Sequence, residues 1–462
     1  MIVCSPTGPD TYRLILLRAD GSELLTVPAE TGVRLPSVTI PHFERIAESI
    51  TAAVRRELGY EAVCLFGLDA SDSRDTSTSW QVMECLRSTA GRHPQALWMP
   101  VSSLSQSLKD LSHCATVERA LNRLRCPNRH TCRQFDRLRW FEQLQDWVSD
   151  VIAPLGLELT GGFSQLNASP DFSLVSFETS GAPVWFKAAG KPNWHEWPIT
   201  IALSQRVPRY LPTILASHVS WRGWLMNDGG TALAKIPATV EMWRQAAVDL
   251  AGLQVESIEH TNQLLEAGAC DLCVPNLLTL VDPFLDVANR LMREQTKPSP
   301  PPLQSIELFR LGAALKEALR RLDGIALPST IGHCDLNPTN ILWTGSCCLF
   351  IDWAEACVGH PFFTLEYVLA HLRNRCPDMA PFIATVQTSY SLIWERTVSA
   401  KALEAAIIFS PIAAVFAHAV SLRSWKSRSP DEPASAYLRS LTRRMKAEAD
   451  RLQRRSLPCL RN

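Results

Sequence analysis

Residues 331–343 of this chain read IGHCDLNPTNILW, and residues 349–353 read LFIDW. In both stretches polar side chains adjoin short apolar runs, a pattern typical of buried strands that end in loops. The polar residues concerned are His333, Asp335, Asn340 and Asp352. Loops on a rigid scaffold are common places for binding and catalytic groups. The pattern therefore predicts that these side chains converge in one cleft.

The order and spacing of these residues suit phosphoryl transfer. That reaction needs a partner for the acceptor hydroxyl, oxygen ligands for Mg²⁺ and a cation on the nucleotide phosphates. Asp335 precedes Asn340 by the separation found between the catalytic aspartate and the metal-binding asparagine of kinases. Mg²⁺ prefers hard oxygen ligands, which Asn340, Asp352 and phosphate oxygens would supply. The alternative is that these side chains merely cap a turn, which leaves the order and spacing of the two clusters unexplained.

The two stretches resemble the HxDxxxxN motif and the following metal-binding element of the aminoglycoside/choline kinase-like phosphotransferases. Residues 352–355, DWAE, are similar to the second element, and residues 357–361, CVGHP, to the turn after it. The resemblance extends from about Phe135 to the C-terminus. It implies an ATP- and Mg²⁺-dependent enzyme that phosphorylates a hydroxyl group of a small molecule.

The resemblance also implies roles for single residues. Asp335 would be the catalytic base, with His333 supporting its loop, while Asn340 and Asp352 would hold Mg²⁺. Two positions depart from the family pattern. Cys334 replaces the usual glycine between the histidine and the aspartate, and Thr364 stands where many members have aspartate, a change expected to loosen a contact within the helical lobe.

A kinase-like N-lobe should supply a lysine for the ATP phosphates, and Lys187 ends the apolar run of residues 184–188, VWFKA. Glu196, nine residues later at a predicted helix start, would orient Lys187 through an ion pair. A solvated strand-end lysine and an ordinary first-turn glutamate are the alternatives. Backbone groups from Met226 to Asp228 would meet the adenine edge. No GxGxxG loop is present, although Gly161 and Gly162 lie where such a loop is expected.

The first 125 residues predict a small α+β domain, with a hairpin around residues 19–22 and a helix from His42 to Leu58. Part of this region resembles a Nudix box, in which glutamates on one helix bind Mg²⁺. Only Glu44 and Glu57 of the expected acidic residues are present, and Arg56 takes the place of another. An arginine in place of a carboxylate opposes Mg²⁺ binding. We therefore expect a Nudix-like domain without hydrolase activity; an unrelated small domain is the alternative.

Composition restricts the partners and the compartment. Lys plus Arg number 46 and Asp plus Glu number 46, so nothing in the net charge indicates binding to nucleic acid or to a membrane. The N-terminus shows no export signal, and the 14 cysteines lack the spacing of a disulfide scaffold. The apolar run Ala405–Val420 is interrupted by polar residues and predicts a buried helix. A cytoplasmic protein with reduced thiols is expected.

The chain as a whole predicts an α+β architecture. A Nudix-like domain (residues 1–125) and a linker (126–134) precede a bilobal protein-kinase-like fold. Its β-rich N-lobe would span residues 135–236 and its helical C-lobe residues 237–462. Cys126, His130, Cys132 and the pair Cys270 and Cys273 lack a complete set of zinc ligands, so no zinc site is expected.

Two questions stay open at the level of the sequence. A catalytically inactive, kinase-like nucleotide-binding module and a Nudix-type pyrophosphohydrolase are the alternative functions, whereas protein phosphorylation lacks its activation-loop signature. The acceptor is not specified. The C-lobe helices are not notably acidic, which disfavours polycationic aminoglycosides and favours a metabolite, a sugar, an amino alcohol or a natural-product intermediate. Glu355 and Glu366 are the nearest candidate acceptor contacts.

Overall fold

A computed structural model gives the structure, and it describes residues 9–30, 32–42, 45–68, 79–88, 96–104, 111–125, 134–325, 327–375, 380–422, 425–427 and 433–456. The chain divides into two compact units. The first unit comprises Met1–Trp197 and Ile214–Asp228, and the second comprises Pro198–Thr213 and Gly229–Asn462. The first is rich in strands and the second in helices, which confirms the predicted α+β class.

Strands dominate the first unit. They are β1 (Asp10–Arg18), β2 (Glu23–Pro28), β3 (Val33–Arg34), β4 (Ser37–Ile40), β5 (Tyr60–Leu68), β6 (Ser79–Ser88), β7 (Leu97–Pro100), β8 (Leu159–Ala168), β9 (Ser173–Thr179), β10 (Val184–Ala188), β11 (Ile214–His218) and β12 (Gly223–Asn227). The helices are α1 (Ile46–Ala53), α2 (Leu111–Arg125), α3 (Trp140–Ile152) and the start of α4 (Glu196–Arg206).

Strands β1–β7 form one sheet among the described residues, with β1 parallel to β6 and antiparallel to β2 and β4. The predicted hairpin joins β1 to β2, where the Asp20 carboxylate accepts a hydrogen bond from the Ser22 amide at 3.0 Å. Helix α1 continues as one π-helical turn, Val54–Leu58, and ends as predicted at Gly59, whose φ of 73° suits glycine. The predicted helix start was wrong, because His42 lies in a turn in which its Nδ1 pairs with Asp10.

Strands β8–β12 form the second sheet, in the order β11-β12-β10-β9-β8. Strands β9 and β10 form an antiparallel hairpin, with Lys187 opposite Leu174 on one side and Trp224 on the other. Gly161 and Gly162 lie inside β8, next to a register irregularity, and not in a loop. Helix α3 begins at Trp140, directly after Arg139, whose φ of 64° interrupts a helix.

Both sheets of the first unit contribute to one core. Buried residues of β1, β5 and β6 pack in the same cluster as Trp140 and Phe141 of α3 and residues of β9 and β10. The Gln165 side chain bonds both the amide and the carbonyl of Cys64, at 2.7 and 3.0 Å. The predicted linker falls mostly on residues outside the described ranges, and the predicted domain boundaries stay predictions.

The second unit holds the remaining helices. They are α5 (Val240–Glu256), α6 (Thr261–Glu266), α7 (Val274–Arg293), α8 (Ser305–Asp323), α9 (Phe362–Arg375), α10 (Ala380–Trp394), α11 (Ala400–Ser421) and α12 (Pro433–Ser456). Its strands are β13 (Thr231–Ala232), β14 (Cys270–Leu272), β15 (Thr330–His333), β16 (Ile341–Trp343), β17 (Cys348–Phe350) and β18 (Ala356–Gly359).

Residues 331–343 and 349–353 lie in, or directly next to, two small sheets of the second unit. Strands β13, β16 and β17 form one, and β14, β18 and β15 form the other, with β18 in the middle. Sequence reasoning predicted β15, β16 and β17 but missed β14 and β18. Among the described helices α11 alone is long and apolar enough to cross a membrane by length and composition, yet 61% of its apolar window is buried. As expected for the run Ala405–Val420, it packs in the core of the unit.

Candidate active site

His333 is the last residue of β15 and is almost fully buried, with 1% of its surface exposed. Its Nδ1 accepts a hydrogen bond from the Asp335 amide at 3.1 Å, so the proton resides on Nε2, which contacts the Ile351 carbonyl at 3.1 Å. The imidazole therefore links the loop after β15 to the end of the hairpin β16–β17. The role predicted for His333, support of the catalytic loop, stays a prediction.

Thr364, at the start of α9, accepts a hydrogen bond from the His333 amide at 3.0 Å through Oγ1. The sequence led us to expect that threonine at this position would loosen a contact. The hydroxyl instead anchors the end of β15. Gly332 leaves room for this contact, since a Cβ there would lie 2.8 Å from Cys357 Sγ and 3.0 Å from Thr364 Oγ1.

Asp335 is half-buried, and its Oδ1 accepts a hydrogen bond from the Tyr367 hydroxyl at 2.7 Å. Burial, and then the contact with Asp335, raise the pKa of Tyr367, so its phenol stays protonated and donates. The Asp335 carbonyl accepts a hydrogen bond from Asn340 Nδ2 at 2.9 Å. The two ends of the loop are thereby held together, and the Asp335 carboxylate has a fixed orientation.

The hairpin β16–β17 brings Asn340 and Asp352 to the same end of one sheet. Ile341 pairs with Phe350, and beyond that pair the Ile351 amide donates to the Asn340 carbonyl at 3.1 Å. Asn340 thus lies opposite Ile351, one residue from Asp352. Asp352 has a φ of 67° and precedes a single 3₁₀ turn, Trp353–Glu355.

These residues fit a divalent cation by their donor chemistry. Asn340 donates through Nδ2 to the Asp335 carbonyl, and its Oδ1 accepts a hydrogen bond from the Thr339 hydroxyl at 3.3 Å, while the Asp352 side chain is exposed. An amide oxygen and a carboxylate are hard ligands of the kind Mg²⁺ prefers. In the described part of the chain no group of three or more His, Cys, Asp or Glu side chains forms a protein-only metal site. A cation here would need oxygen atoms from a ligand or water.

Lys187 and Glu196 are brought together in the first unit. Their side chains form an ion pair and are 11% and 2% exposed, so the pair is shielded from water. Strand β10 positions Lys187 between β9 and β12, and α4 begins at Glu196. The Lys187 ammonium also lies 5.8 Å from the Trp224 ring centre. The predicted ion pair is therefore present, and the alternative of a solvated strand-end lysine is excluded.

Met226 and Asp228 lie at the end of β12, where Met226 pairs with Trp185 of β10. The Asp228 carboxylate accepts a hydrogen bond from Trp185 Nε1 at 3.0 Å. That contact fixes the chain as it leaves the sheet. The adenine-binding role of this segment stays a prediction.

A cavity of about 50 Å³ in the second unit adjoins the loop of Asp335. Sequence reasoning missed most of the polar residues that line it, which come from three helices. They include Tyr367 of α9, His418 of α11, and Tyr437 and Arg444 of α12. His418 Nε2 contacts the Tyr437 hydroxyl at 2.9 Å. No local motif marks these residues, because they are adjacent only after the helices have packed.

The two acceptor candidates have different environments. Glu366 lines the cavity, is 5% exposed and pairs with Arg373 at 3.5 Å. Burial raises the pKa of Glu366, whereas Arg373 acts in the opposite direction. Glu355 is exposed and is not among the cavity residues; its carbonyl accepts a hydrogen bond from the Cys334 amide at 2.9 Å.

The Nudix-like pattern can be located only in part. Glu44 lies outside the described residues. Glu57 is in the π-helical turn, where its carboxylate contacts Arg56 at 2.6 Å. Arg55 and Arg87 both pair with Glu61 nearby. Arginines thus accompany the acidic side chains described here, in keeping with the expected lack of a hydrolytic Mg²⁺ site, which stays a prediction.

A buried histidine, an oriented carboxylate and an amide–carboxylate pair make up the candidate active site. Residues 202–397 match the family described as APH, the phosphotransferase enzyme family. The match includes His333, Asp335, Asn340 and Asp352 and confirms the resemblance predicted from the sequence. Lys187 and Glu196 lie outside it.

Solved structures of similar proteins cover about two thirds of the chain. The macrolide 2'-phosphotransferase MphH of Brachybacterium faecium is 16% identical, with 65% of this chain and 96% of that chain covered and a TM-score of 0.44. A choline/ethanolamine kinase family protein of Mesorhizobium loti is 15% identical, with 66% and 94% covered and a TM-score of 0.42. A putative aminoglycoside phosphotransferase of Ralstonia eutropha is 13% identical, with 67% and 98% covered and a TM-score of 0.42. No curated protein matches the chain.

Proposed function

We propose that this protein is an ATP- and Mg²⁺-dependent enzyme that transfers the γ-phosphoryl group of ATP to a hydroxyl group of a small molecule. The observation that carries the proposal is the placement of Asn340 and Asp352 at one end of the hairpin β16–β17, with Asn340 bonded to the Asp335 carbonyl. That arrangement joins the two cation ligands to the loop of the catalytic carboxylate.

Each residue has a task in this proposal. Asp335 orients the acceptor hydroxyl and takes its proton, and the Tyr367 hydrogen bond keeps the carboxylate in position. Asn340 and Asp352 hold Mg²⁺, which offsets negative charge on the phosphates when it is bound. Lys187 contacts the α- and β-phosphates, and Glu196 keeps its ammonium oriented. Met226 to Asp228 receive the adenine edge.

The charges around the cavity favour a neutral or anionic acceptor over a polycation. Glu366 is the one carboxylate among the described lining residues, and Arg373 is paired with it. Arg444 also lines the cavity. A site for a polyamine sugar needs an excess of carboxylates, because unpaired cations are costly to desolvate. A hydroxylated metabolite or natural-product intermediate without several amino groups is the proposed substrate class.

The test combines ligand binding with turnover. The full-length protein is screened for ATP consumption against hydroxylated metabolites, with Asp335→Asn as the inactive variant and Asp286→Asn, an exposed aspartate on α7, as its matched control. Only Asp335→Asn should abolish turnover. Equal turnover in both variants would contradict the assigned base.

Binding separates an enzyme from an inactive nucleotide-binding module. ATP should raise the melting temperature further when Mg²⁺ is present, since a ligand that binds the native state stabilises it. Asp352→Ala should remove the Mg²⁺-dependent part and leave the rest. ATP binding without turnover on any acceptor would favour the inactive module. Hydrolysis of a nucleoside diphosphate derivative that survives Asp335→Asn would favour a Nudix-type activity.

A further inference from the structure

Three cysteines lie side by side on the small sheet that leads to Asp335. Cys270 of β14 pairs with Cys357 of the central strand β18, and Cys334 follows the end of β15. The Sγ atoms of Cys334 and Cys357 are 3.5 Å apart. Cys334 and Cys357 are both free thiols. The active-site loop is thus flanked by a close, reduced thiol pair that the proposed reaction does not use.

The two sulfur atoms are already in contact, and a disulfide requires them to move closer. An S–S bond is about 2.05 Å long, so the two sulfur atoms would approach by about 1.5 Å. Cys357 is held in the middle strand, and Gly332 packs directly against its sulfur. Cys334 lies beyond the last paired residue of β15. The movement would therefore fall on Cys334 and the loop that continues into Asp335.

The two thiols differ in access, which sets the order of reaction. Cys334 is half-buried and lines the cavity, whose lining also includes Tyr437, itself 47% exposed. Cys357 is 2% exposed. Its hydrogen bond with Cys334 and its burial raise the pKa of the Cys357 thiol. A small oxidant reaches Cys334 first, and Cys357 is the nearby thiol that can react next.

We propose that Cys334 and Cys357 are a modification site that forms a reversible disulfide when the protein meets a peroxide. The Cys334 sulfur attacks the peroxide and becomes a sulfenic acid, while the peroxide O–O bond breaks and yields an alcohol or water. The Cys357 sulfur then attacks the Cys334 sulfur. The S–O bond breaks, and the oxygen leaves as water with the proton of Cys357. A thiol reductant reverses the bond.

The disulfide itself does not depend on the proposed function, but its consequence does. The Asp335 amide donates to His333 Nδ1, and the Cys334 amide donates to the Glu355 carbonyl. A shift of Cys334 strains both contacts at the catalytic loop. If the protein is a phosphotransferase, oxidation should lower its kcat reversibly.

Peptide mapping tests the bond without any assay of activity. The full-length reduced protein is treated with hydrogen peroxide, blocked with N-ethylmaleimide and digested with Asp-N and Glu-C proteases under non-reducing conditions. These proteases separate peptide Asp323–Cys334 from peptide Ala356–Glu366, each with a single cysteine. The expected product is the cross-linked pair, lighter than the sum of the two thiol peptides by two hydrogen atoms, and a phosphine reductant should abolish it.

Variants decide whether the pairing is specific. Cys334→Ser should remove the cross-link and leave Cys357 as a maleimide-labelled thiol. Cys357→Ala should leave Cys334 as sulfenic or higher acid. Cys347→Ser, at the nearby turn of β16–β17, is the matched control and should retain the cross-link. A Cys270–Cys357 bond, or Cys334 that stays a thiol under peroxide, would overturn the proposal, and the peptide map of the wild-type protein is enough to decide this if a variant fails to fold.

Discussion

The hydroxyl of Tyr367 is the closest side-chain partner described for the Asp335 carboxylate, at 2.7 Å. A hydrogen bond to a charged group contributes about 1.5–3 kcal/mol, and each 1.4 kcal/mol lost from transition-state stabilisation lowers a rate about tenfold. Tyr367 also sits on a packed helix, so it can hold the carboxylate in one rotamer. In the proposed enzyme, Tyr367 therefore orients the catalytic base, Asp335.

Tyr367→Phe should therefore lower kcat by about tenfold or more while leaving the KM for ATP nearly unchanged. The phenyl ring keeps the packing, and only the donor is lost. Steady-state kinetics on the acceptor found by the screen measures both parameters. Tyr437→Phe removes a hydroxyl that contacts His418 and not Asp335, so its effect on kcat should be smaller. Equal losses in the two variants would refute the orienting role.

A second residue-scale prediction concerns pH. His360 is buried between Phe362 and Phe363, and in the described part of the chain neither ring nitrogen has a hydrogen-bond partner. Burial lowers the pKa of His360 to about 3. Below the unfolded pKa of about 6.5, the unfolded chain binds a proton that the native state does not. The contribution of His360 is therefore complete above that pH and is lost as the pH falls toward 3.

His360 alone should lower the free energy of unfolding between pH 6.5 and 5 by up to about 1.4 kcal/mol per pH unit, whereas Glu84, whose pKa burial raises to about 7, acts in the opposite direction. Urea unfolding of the wild-type protein and of His360→Asn at several pH values isolates the contribution of His360. The difference in free energy between the two proteins should change across this window, while the contributions of His418 and His218, whose pKa values burial also lowers, remain in both. If the free energy of unfolding depends on pH in the same way in His360→Asn as in the wild-type protein, another group controls the stability at acidic pH.

At the scale of elements, the sheet β14-β18-β15 positions the active-site loop, and Gly332 is tightly packed at the end of β15. A Cβ there would lie 2.8 Å from Cys357 Sγ and 3.0 Å from Thr364 Oγ1. Overpacking of this kind lowers the free energy of unfolding by about 1–3 kcal/mol. Here the added methyl group would push β15 away from Cys357 of β18 and from Thr364, which anchors the His333 amide. Gly332→Ala should lower both stability and turnover, measured by urea unfolding and by ATP consumption.

Gly324→Ala is the matched control for that prediction, because its Cβ would lie no closer than 3.4 Å to a neighbouring atom. It lies directly after α8 and belongs to neither of the two small sheets. Its stability should change by less than that of Gly332→Ala. A tolerated alanine at Gly332, with full turnover, would show that the sheet does not constrain the loop.

The elements also show which features the sequence can predict. The residues around Asp335 and Asp352 combine short apolar runs with the spacing of a kinase motif. The strands β15, β16 and β17 were therefore predictable, and so was the position of Asn340 near Asp352 at one end of a hairpin. Strands β14 and β18 are only three and four residues long. An alternation of apolar and polar residues over so few positions does not distinguish a strand from a loop. The contacts of Tyr367, His418 and Thr364 depend on helix packing, which periodicity alone does not specify.

At the scale of the whole molecule, the first unit contains a core that residues of two predicted domains share. Residues of the predicted N-terminal domain and of the lobe that bears Lys187 contribute to one buried cluster, while the boundary between these domains stays a prediction. The Arg139 amide, just before α3, donates to the Glu84 carboxylate at 2.8 Å, and burial raises the pKa of Glu84 to about 7. Composition and linker-like residues indicate where one segment of the chain ends and the next begins. They do not show which segments pack against each other, so a shared core cannot be predicted from them.

This shared core leads to a prediction about truncation. A fragment of residues 134–462 keeps the whole family-matched segment and the ion pair of Lys187, but it loses β1, β5 and β6. Trp140 and Phe141, which are at most 2% exposed, would lose the part of their buried cluster that these strands supply, and the Gln165 side chain would lose both bonds to Cys64. Exposing large buried side chains costs about 1.5–3 kcal/mol each, a large share of a domain's usual 5–15 kcal/mol.

The fragment should therefore aggregate or melt well below the full-length protein, as measured by size-exclusion chromatography and thermal unfolding. The informative control replaces the exposed core residues Trp140 and Phe141 with Gln in the fragment. This change should reduce aggregation without restoring the stability of the full-length chain, because the missing strands cannot be replaced from the surface. A monomeric fragment with the full-length melting temperature would mean that the N-terminal domain folds and functions apart, and that the common core contributes little to the lobe bearing Lys187.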